Sequence, residues 1–177
     1  MTDHIVSKID VARRQLECAI RLYFNSADAI SVHTLGSAAR NVLLDLCLHR
    51  GITAEVFLAD MLAKHVKPEH HKRINDSFRR AENFFKHADR DPEGTHSFNP
   101  ESSGFTLFEA TEAYARLTGE STAAMLTYRT WWLSHQPYLQ AILPPEVQQA
   151  FQSLPYQSEQ KLQFYLDVLP AWVGLVH

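Results

Sequence analysis

The sequence predicts an all-α protein, an antiparallel helical bundle of four to five main helices with short C-terminal helices. Apolar residues recur at spacings of three and four along most of the chain, which is typical of amphipathic helices. No segment alternates between apolar and polar residues as a half-buried strand would. The length of 177 residues predicts a single domain, with a bundle core over residues 4–135 and a helical extension over residues 136–177.

The ends of the predicted helices are marked by residues that favour helix termini. Gly51 and Gly119 follow the last apolar positions of two helices, as glycine often does because it adopts the left-handed conformation easily. Pro68 opens another helix, since the N–H that proline lacks is not needed in a first turn. The predicted helices cover residues 5–23, 29–49, 54–65, 68–88, 106–117 and 121–135, and a last one follows Ser158. Residues 89–104 form a long loop, and loops of this length are often functional.

Composition and charge favour a cytoplasmic protein with an anionic ligand. No stretch of about 18 apolar residues is present, so no membrane span is expected, and the first residues do not resemble a signal peptide. The two cysteines lack a paired spacing, which favours a reducing compartment. Residues 64–90 carry eight Lys or Arg against four acids, whereas residues 91–177 carry three against nine. The basic middle points to an anionic ligand, unless it is simply a solvated helix face.

The strongest candidate site lies late in the helix predicted over residues 68–88. At about 100° per residue, Arg73, Arg80 and His87 recur every seven residues along one stripe, with Asn83 beside them. A guanidinium binds phosphate through a fixed fork of donors, and an imidazole exchanges protons near neutral pH. The pattern indicates metal-free RNA cleavage, in which His87 acts on the ribose 2′-hydroxyl or the leaving oxygen and Arg80 stabilises the phosphorane. The alternative is that His87 caps carbonyls at the helix C-terminus.

Further residues are predicted to assist this site. Asn83 would hold the sugar or orient the imidazole. His33 would supply a second acid–base group if the second and fourth predicted helices pack antiparallel, whereas an interior, hydrogen-bonded histidine is the alternative. The predicted ligand-binding residues are Arg73, Arg79, Lys86 and Asp89.

The arrangement of Arg80 and His87, with six residues between them, resembles the R-x4-6-H signature of the HEPN superfamily. Residues 83–89 (Asn-Phe-Phe-Lys-His-Ala-Asp) also resemble a stretch that marks a group of uncharacterised bacterial proteins. The HEPN resemblance implies a homodimer in which two Arg/His pairs share a basic cleft. Many members are metal-independent ribonucleases and others bind nucleotides, so RNA or a nucleotide is the expected partner and no cofactor is expected. Ala81 stands where active members usually have a polar residue.

Metal binding and protein interaction are the other functions that the sequence suggests. A divalent site would draw on His65, His70, His71, His87, Asp89, Asp91 and His96. These residues lack zinc spacings, and a calcium-like run from Asp89 has Pro100 where a bidentate glutamate is needed, so no metal is predicted. The aromatic cluster of Tyr128, Trp131, Trp132 and Tyr138 is expected in the core or a subunit interface. The alternative function is a non-catalytic protein-interaction module that uses the aromatic helices or the acidic C-terminal third.

Overall fold

The chain is helical throughout most of the residues that the computed structural model describes, which are 3–52, 64, 66–89, 91–141, 144–154 and 160–176. Within these residues it forms eight helices and no strand, so the all-α prediction is confirmed. The helices are α1 Lys8–Phe24, α2 Ala29–His49, α3 Pro68–Lys86, α4 Ser102–Thr118, α5 Ala123–Ser134, α6 Pro137–Gln140, α7 Pro145–Gln152 and α8 Lys161–Val173. None of the described helices has the length and apolar character needed to cross a bilayer. The helix predicted over residues 54–65, apart from Lys64, and the cap predicted at Ser158 lie outside the described residues.

The central helix is α2, which packs against both α1 and α4. Asp28 caps its N-terminus, because the carboxylate accepts a hydrogen bond from the N–H of Ser31 at 2.8 Å. At the other end Gly51 has a φ of 64°, in the left-handed region, as its position predicts. Both ends of α2 therefore follow from local capping residues.

A hydrophobic core joins α1, α2, α4, α5 and α8. It includes Leu16, Phe24, Leu43, Leu107, Met125, Tyr128, Trp131, Trp132 and Phe164. Trp132 stacks on Phe108 with 4.1 Å between ring centroids, and the hydroxyl of Tyr128 donates to the carbonyl of Gly104 at 2.7 Å. The described members of the predicted aromatic cluster are thus core residues, while the side chain of Tyr138 lies outside the described residues.

The helix predicted to begin at Thr106 begins four residues earlier, at Ser102. A turn initiates it, because the carbonyl of Asn99 accepts from the N–H of Ser102 at 3.1 Å. Gly104 lies inside the helix, where a Cβ would approach Trp132 Nε1 to 3.4 Å. A Ser-Ser-Gly run is typical of loops, but here it forms the first turn of α4 and packs beside Trp132.

The helices α2 and α4 approach each other closely at Gly36. A Cβ on Gly36 would lie 2.9 Å from Cδ2 of Leu107, which is too close unless Leu107 moves. One turn further along α2, Nε of Arg40 donates to Oε2 of Glu109 at 2.5 Å, and the Glu109 side chain is fully buried. This contact is a charged link between α2 and α4.

Candidate functional site

The outer surface of α3 carries unpaired positive charge. Arg73, Arg79 and Arg80 are exposed, and none of the three has a hydrogen-bond or ion-pair partner within the part of the chain that the structure describes. In contrast, the positive charges of Lys72 and Lys86 are each offset by an acid on the same helix. The three guanidinium groups are therefore available to an anionic ligand.

A groove of about 570 Å³ lies at the C-terminal end of α3. Its lining residues are Asn83, Phe84, His87, Asp89 and Asp91. Arg80 precedes Asn83 by one helical turn and lies on the adjoining exposed surface. The groove therefore contains two of the residues predicted to act on RNA, with the third beside it.

His87 lies just beyond the end of α3. Its backbone is extended (φ −131°, ψ 115°), and its N–H donates to the carbonyl of Asn83 at 3.1 Å. The imidazole is 60% exposed and its Nδ1 lies 4.0 Å from Oδ1 of Asp89. Among the described residues the ring makes no hydrogen bond to a helix carbonyl. The side chain is thus free to meet a ligand in the groove.

Aromatic contacts hold the loop after α3 against the helix. His96 packs on Phe84 with 5.3 Å between ring centroids and 35° between ring planes. Phe98 packs edge-on against Phe85 at 5.1 Å. Because the same loop contributes Asp89 to the groove, these contacts fix one wall of the groove relative to α3.

His33 is an interior residue, 2% exposed. Its Nδ1 lies 3.3 Å from Oγ of Ser103, and its Nε2 is buried without a hydrogen-bond partner in the described structure. Burial lowers the pKa of the imidazole, an effect that Glu82 opposes and Lys86 reinforces. The ring is therefore neutral near neutral pH.

Where α2 packs on α3, His33 contacts aromatic residues of α3 and of the loop that follows it. Its ring lies edge-on to Phe85 at 5.8 Å and to Phe98 at 5.0 Å. Both aromatic residues are partly buried, whereas Arg80 and His87 are exposed. The described contacts thus bring His33 against Phe85, Phe98 and Ser103, and they do not bring it together with Arg80.

Sequence reasoning missed a polar contact that attaches α3 to α2. Glu82 is buried at 7% exposure and accepts hydrogen bonds from the side-chain amide of Asn41 and from Nζ of Lys86, the latter at 2.6 Å. Lys86, predicted to bind the ligand, is therefore already paired with Glu82. Ala81, next to Glu82 in the sequence, is also buried. The side of α3 that carries Ala81 and Glu82 therefore faces inward, while Arg80 faces outward.

The residues considered as metal ligands do not converge in the described part of the chain. There, no group of three or more His, Cys, Asp or Glu side chains is arranged to hold a metal ion. His71 instead makes a 2.8 Å contact from Nε2 to the carbonyl of Val66 at the start of α3. His65 lies outside the described residues.

Comparisons with protein-family models, with curated proteins and with solved structures found no match to this chain. The HEPN resemblance therefore stays a prediction from the sequence.

Proposed function

We propose that this protein is HEPN-like and binds single-stranded RNA through the outer surface and terminal groove of α3. The observation that carries the proposal is the set of exposed arginines, Arg73, Arg79 and Arg80, which have no partner within the described residues. Unpaired cations gain free energy on meeting phosphates because condensed counterions are released. The planar fork of arginine also matches the geometry of phosphate oxygens.

The groove supports a single strand as the ligand. Phe84 lines it with 37% of its surface exposed, and bases of an unpaired strand stack on such rings. Asn83 provides an amide in the same groove, within reach of a ribose or base bound there. A strand whose phosphates lie on Arg80 would place the next sugar and base in the groove.

RNA binding is tested by fluorescence anisotropy with a labelled RNA of mixed sequence. Arg80→Gln and Arg73→Gln should each weaken binding and lower the slope of affinity against salt by about one, because each removes one phosphate contact. Arg129→Gln is the matched control, since it removes the same charge from α5, where Arg129 pairs with Glu112 at 2.6 Å. Equal binding by all four proteins, or none, would contradict the proposal.

The groove residues also support RNA cleavage without a metal ion. His87 would take the proton of a ribose 2′-hydroxyl, whose oxygen then bonds to the adjacent phosphorus as the bond to the 5′-oxygen breaks. The leaving 5′-oxygen takes up a proton from water and His87 returns its proton to the solvent, so the products are a 2′,3′-cyclic phosphate and a 5′-hydroxyl. Arg80 would stabilise the charge on the phosphorane. His96, which packs on Phe84 at the groove, is a second imidazole in this region.

Cleavage is tested with end-labelled RNA in excess EDTA. The wild type should release fragments with cyclic phosphate ends, and His87→Ala should reduce the rate about 100-fold or more, because proton transfer contributes on that order. His49→Ala is the control, since His49 is an exposed histidine at the end of α2. Equal cleavage by wild type and His87→Ala would assign the activity to a contaminant.

Protein interaction is a second candidate function, favoured by an apolar stripe on α8. Leu162, Leu166 and Val173 recur at helical spacing and are 42%, 54% and 40% exposed. If a second copy of the chain covers this stripe, sedimentation velocity should show self-association that Leu166→Gln abolishes. A monomer at all concentrations in both proteins would argue against this use of the stripe.

A further inference from the structure

The groove at the end of α3 places carboxylates next to a phosphate-binding surface. Asp89 and Asp91 line it together with Asn83 and His87. A carboxylate repels phosphate, so acids in this position oppose backbone binding unless they meet a hydrogen-bond donor of the ligand. No trio of metal-ligating side chains exists among the described residues, so an N–H donor is the partner that the groove fits best.

Asp89 is the carboxylate better placed to meet a ligand. Asp91 folds back over its own turn, because its carboxylate occupies the space where a Cβ on Gly94 would lie and its carbonyl accepts from the N–H of Gly94 at 3.1 Å. The Asp89 side chain is 73% exposed, and its Oδ1 lies 4.0 Å from Nδ1 of His87. At this distance the imidazole does not hydrogen-bond Oδ1, so both carboxylate oxygens of Asp89 remain open to two donors of a ligand.

Phe84 provides a surface on which a base can stack beside Asp89. His96 packs against part of the ring at 5.3 Å, and the rest of the ring remains exposed and lines the groove. The His96 contact also holds the ring in one orientation, so stacking costs little side-chain entropy. A flat ligand stacked on Phe84 would lie in the groove that Asp89 also lines.

We infer that the groove selects a guanine base of the bound strand, with Phe84 beneath the base and Asp89 at its edge. Guanine offers two neighbouring donors, N1–H and the N2 amino group, that match the two oxygens of a carboxylate. Adenine, cytosine and uracil each offer a single donor group on the corresponding edge, so they leave one oxygen unmatched. The inference rests on the RNA binding proposed above and adds the identity of the base.

The test compares short uridine oligomers that carry one central guanosine, adenosine or cytidine, with affinities measured by fluorescence anisotropy. The wild type should bind the guanosine oligomer about tenfold more tightly than the others, the discrimination typical of a two-donor contact. Asp89→Asn should remove this preference. Phe84→Leu should weaken the binding of all oligomers to the same extent, because stacking does not distinguish the bases. Glu93→Gln is the matched control, since it removes an exposed charge from the same loop outside the groove lining and should keep the preference.

The outcomes separate this inference from RNA binding itself. Tight but equal binding of all oligomers would overturn guanine selection and leave RNA binding intact, and a preference that survives Asp89→Asn would overturn the role of Asp89. Failure to bind any oligomer would overturn both proposals. A guanosine preference together with unchanged affinity and salt dependence in Arg80→Gln would support the base site and remove Arg80 from phosphate binding.

Discussion

At the scale of single residues, the buried imidazole of His33 makes the stability of the fold depend on pH. Burial lowers its pKa below the ordinary value of 6.5, although Glu82 works in the opposite direction. The unfolded chain therefore takes up a proton at pH values where the folded protein does not. The contribution of this group is fully present above 6.5 and is lost as the pH falls from there toward the lower pKa of the folded state.

Replacing the imidazole should reduce that loss. For His33→Gln, we expect the free energy of unfolding to fall less steeply below pH 6.5, by up to about 1.4 kcal/mol per pH unit. Urea unfolding at a series of pH values measures the slope. His49→Gln, at an exposed position, should keep the wild-type slope, and an unchanged slope in His33→Gln would show that His33 is not the group responsible.

The sequence predicts the outward residues of the site better than the inward ones. Arg80 and Asn83 follow from helical periodicity, because exposure to solvent on α3 requires no knowledge of a partner. The hydrogen bond between Asn41 and Glu82 spans two helices, so it depends on the rotation of α3 against α2. In the sequence, Glu82 cannot be distinguished from the exposed acids of an amphipathic helix.

At the scale of helices, Gly119 shows how a backbone conformation ends an element. It caps α4 with a φ of 74°, and a Cβ there would touch no other atom within 4 Å. Gly119→Ala should therefore cost about 1–2 kcal/mol of unfolding free energy through backbone strain alone. Gly174→Ala is the matched control, because Gly174 has equal space but a φ of −72°. Denaturant unfolding compares the two, and equal effects would contradict this account.

Local signals predict helix ends well wherever capping residues decide them. Gly51 and Pro68 place the end of α2 and the start of α3 correctly. The start of α4 is different, because its first turn is a Ser-Ser-Gly run, typical of loops, that packs beside Trp132 from another helix. Such tertiary contacts override local propensity, and no rule based on neighbouring residues includes them.

At the scale of the whole molecule, α8 belongs to the same core as the first helices. Phe164 is completely buried, and its neighbour Tyr165 stacks on Phe24 of α1 with 4.6 Å between ring centroids. Phe164→Ala should lower the free energy of unfolding by about 3–5 kcal/mol, through lost burial and a cavity. Leu166→Ala, on the exposed side of α8, should cost far less. An unchanged main transition in Phe164→Ala would mean that α8 unfolds separately from the bundle.

The close approach of α2 and α4 at Gly36 and the ion pair between Arg40 and Glu109 should be energetically coupled. Arg40 lies one turn beyond Gly36 and reaches Glu109, which is two residues beyond Leu107 on α4. A methyl group at position 36 would displace the Leu107 side chain, and where α4 shifts to make room, the contact between Arg40 and Glu109 lengthens. Because a buried ion pair loses much of its value when its geometry is stretched, the effects of substituting Gly36 and Arg40 should not add. A substitution at Gly36 or Arg40 that is chosen to raise stability therefore has to be evaluated together with the other position.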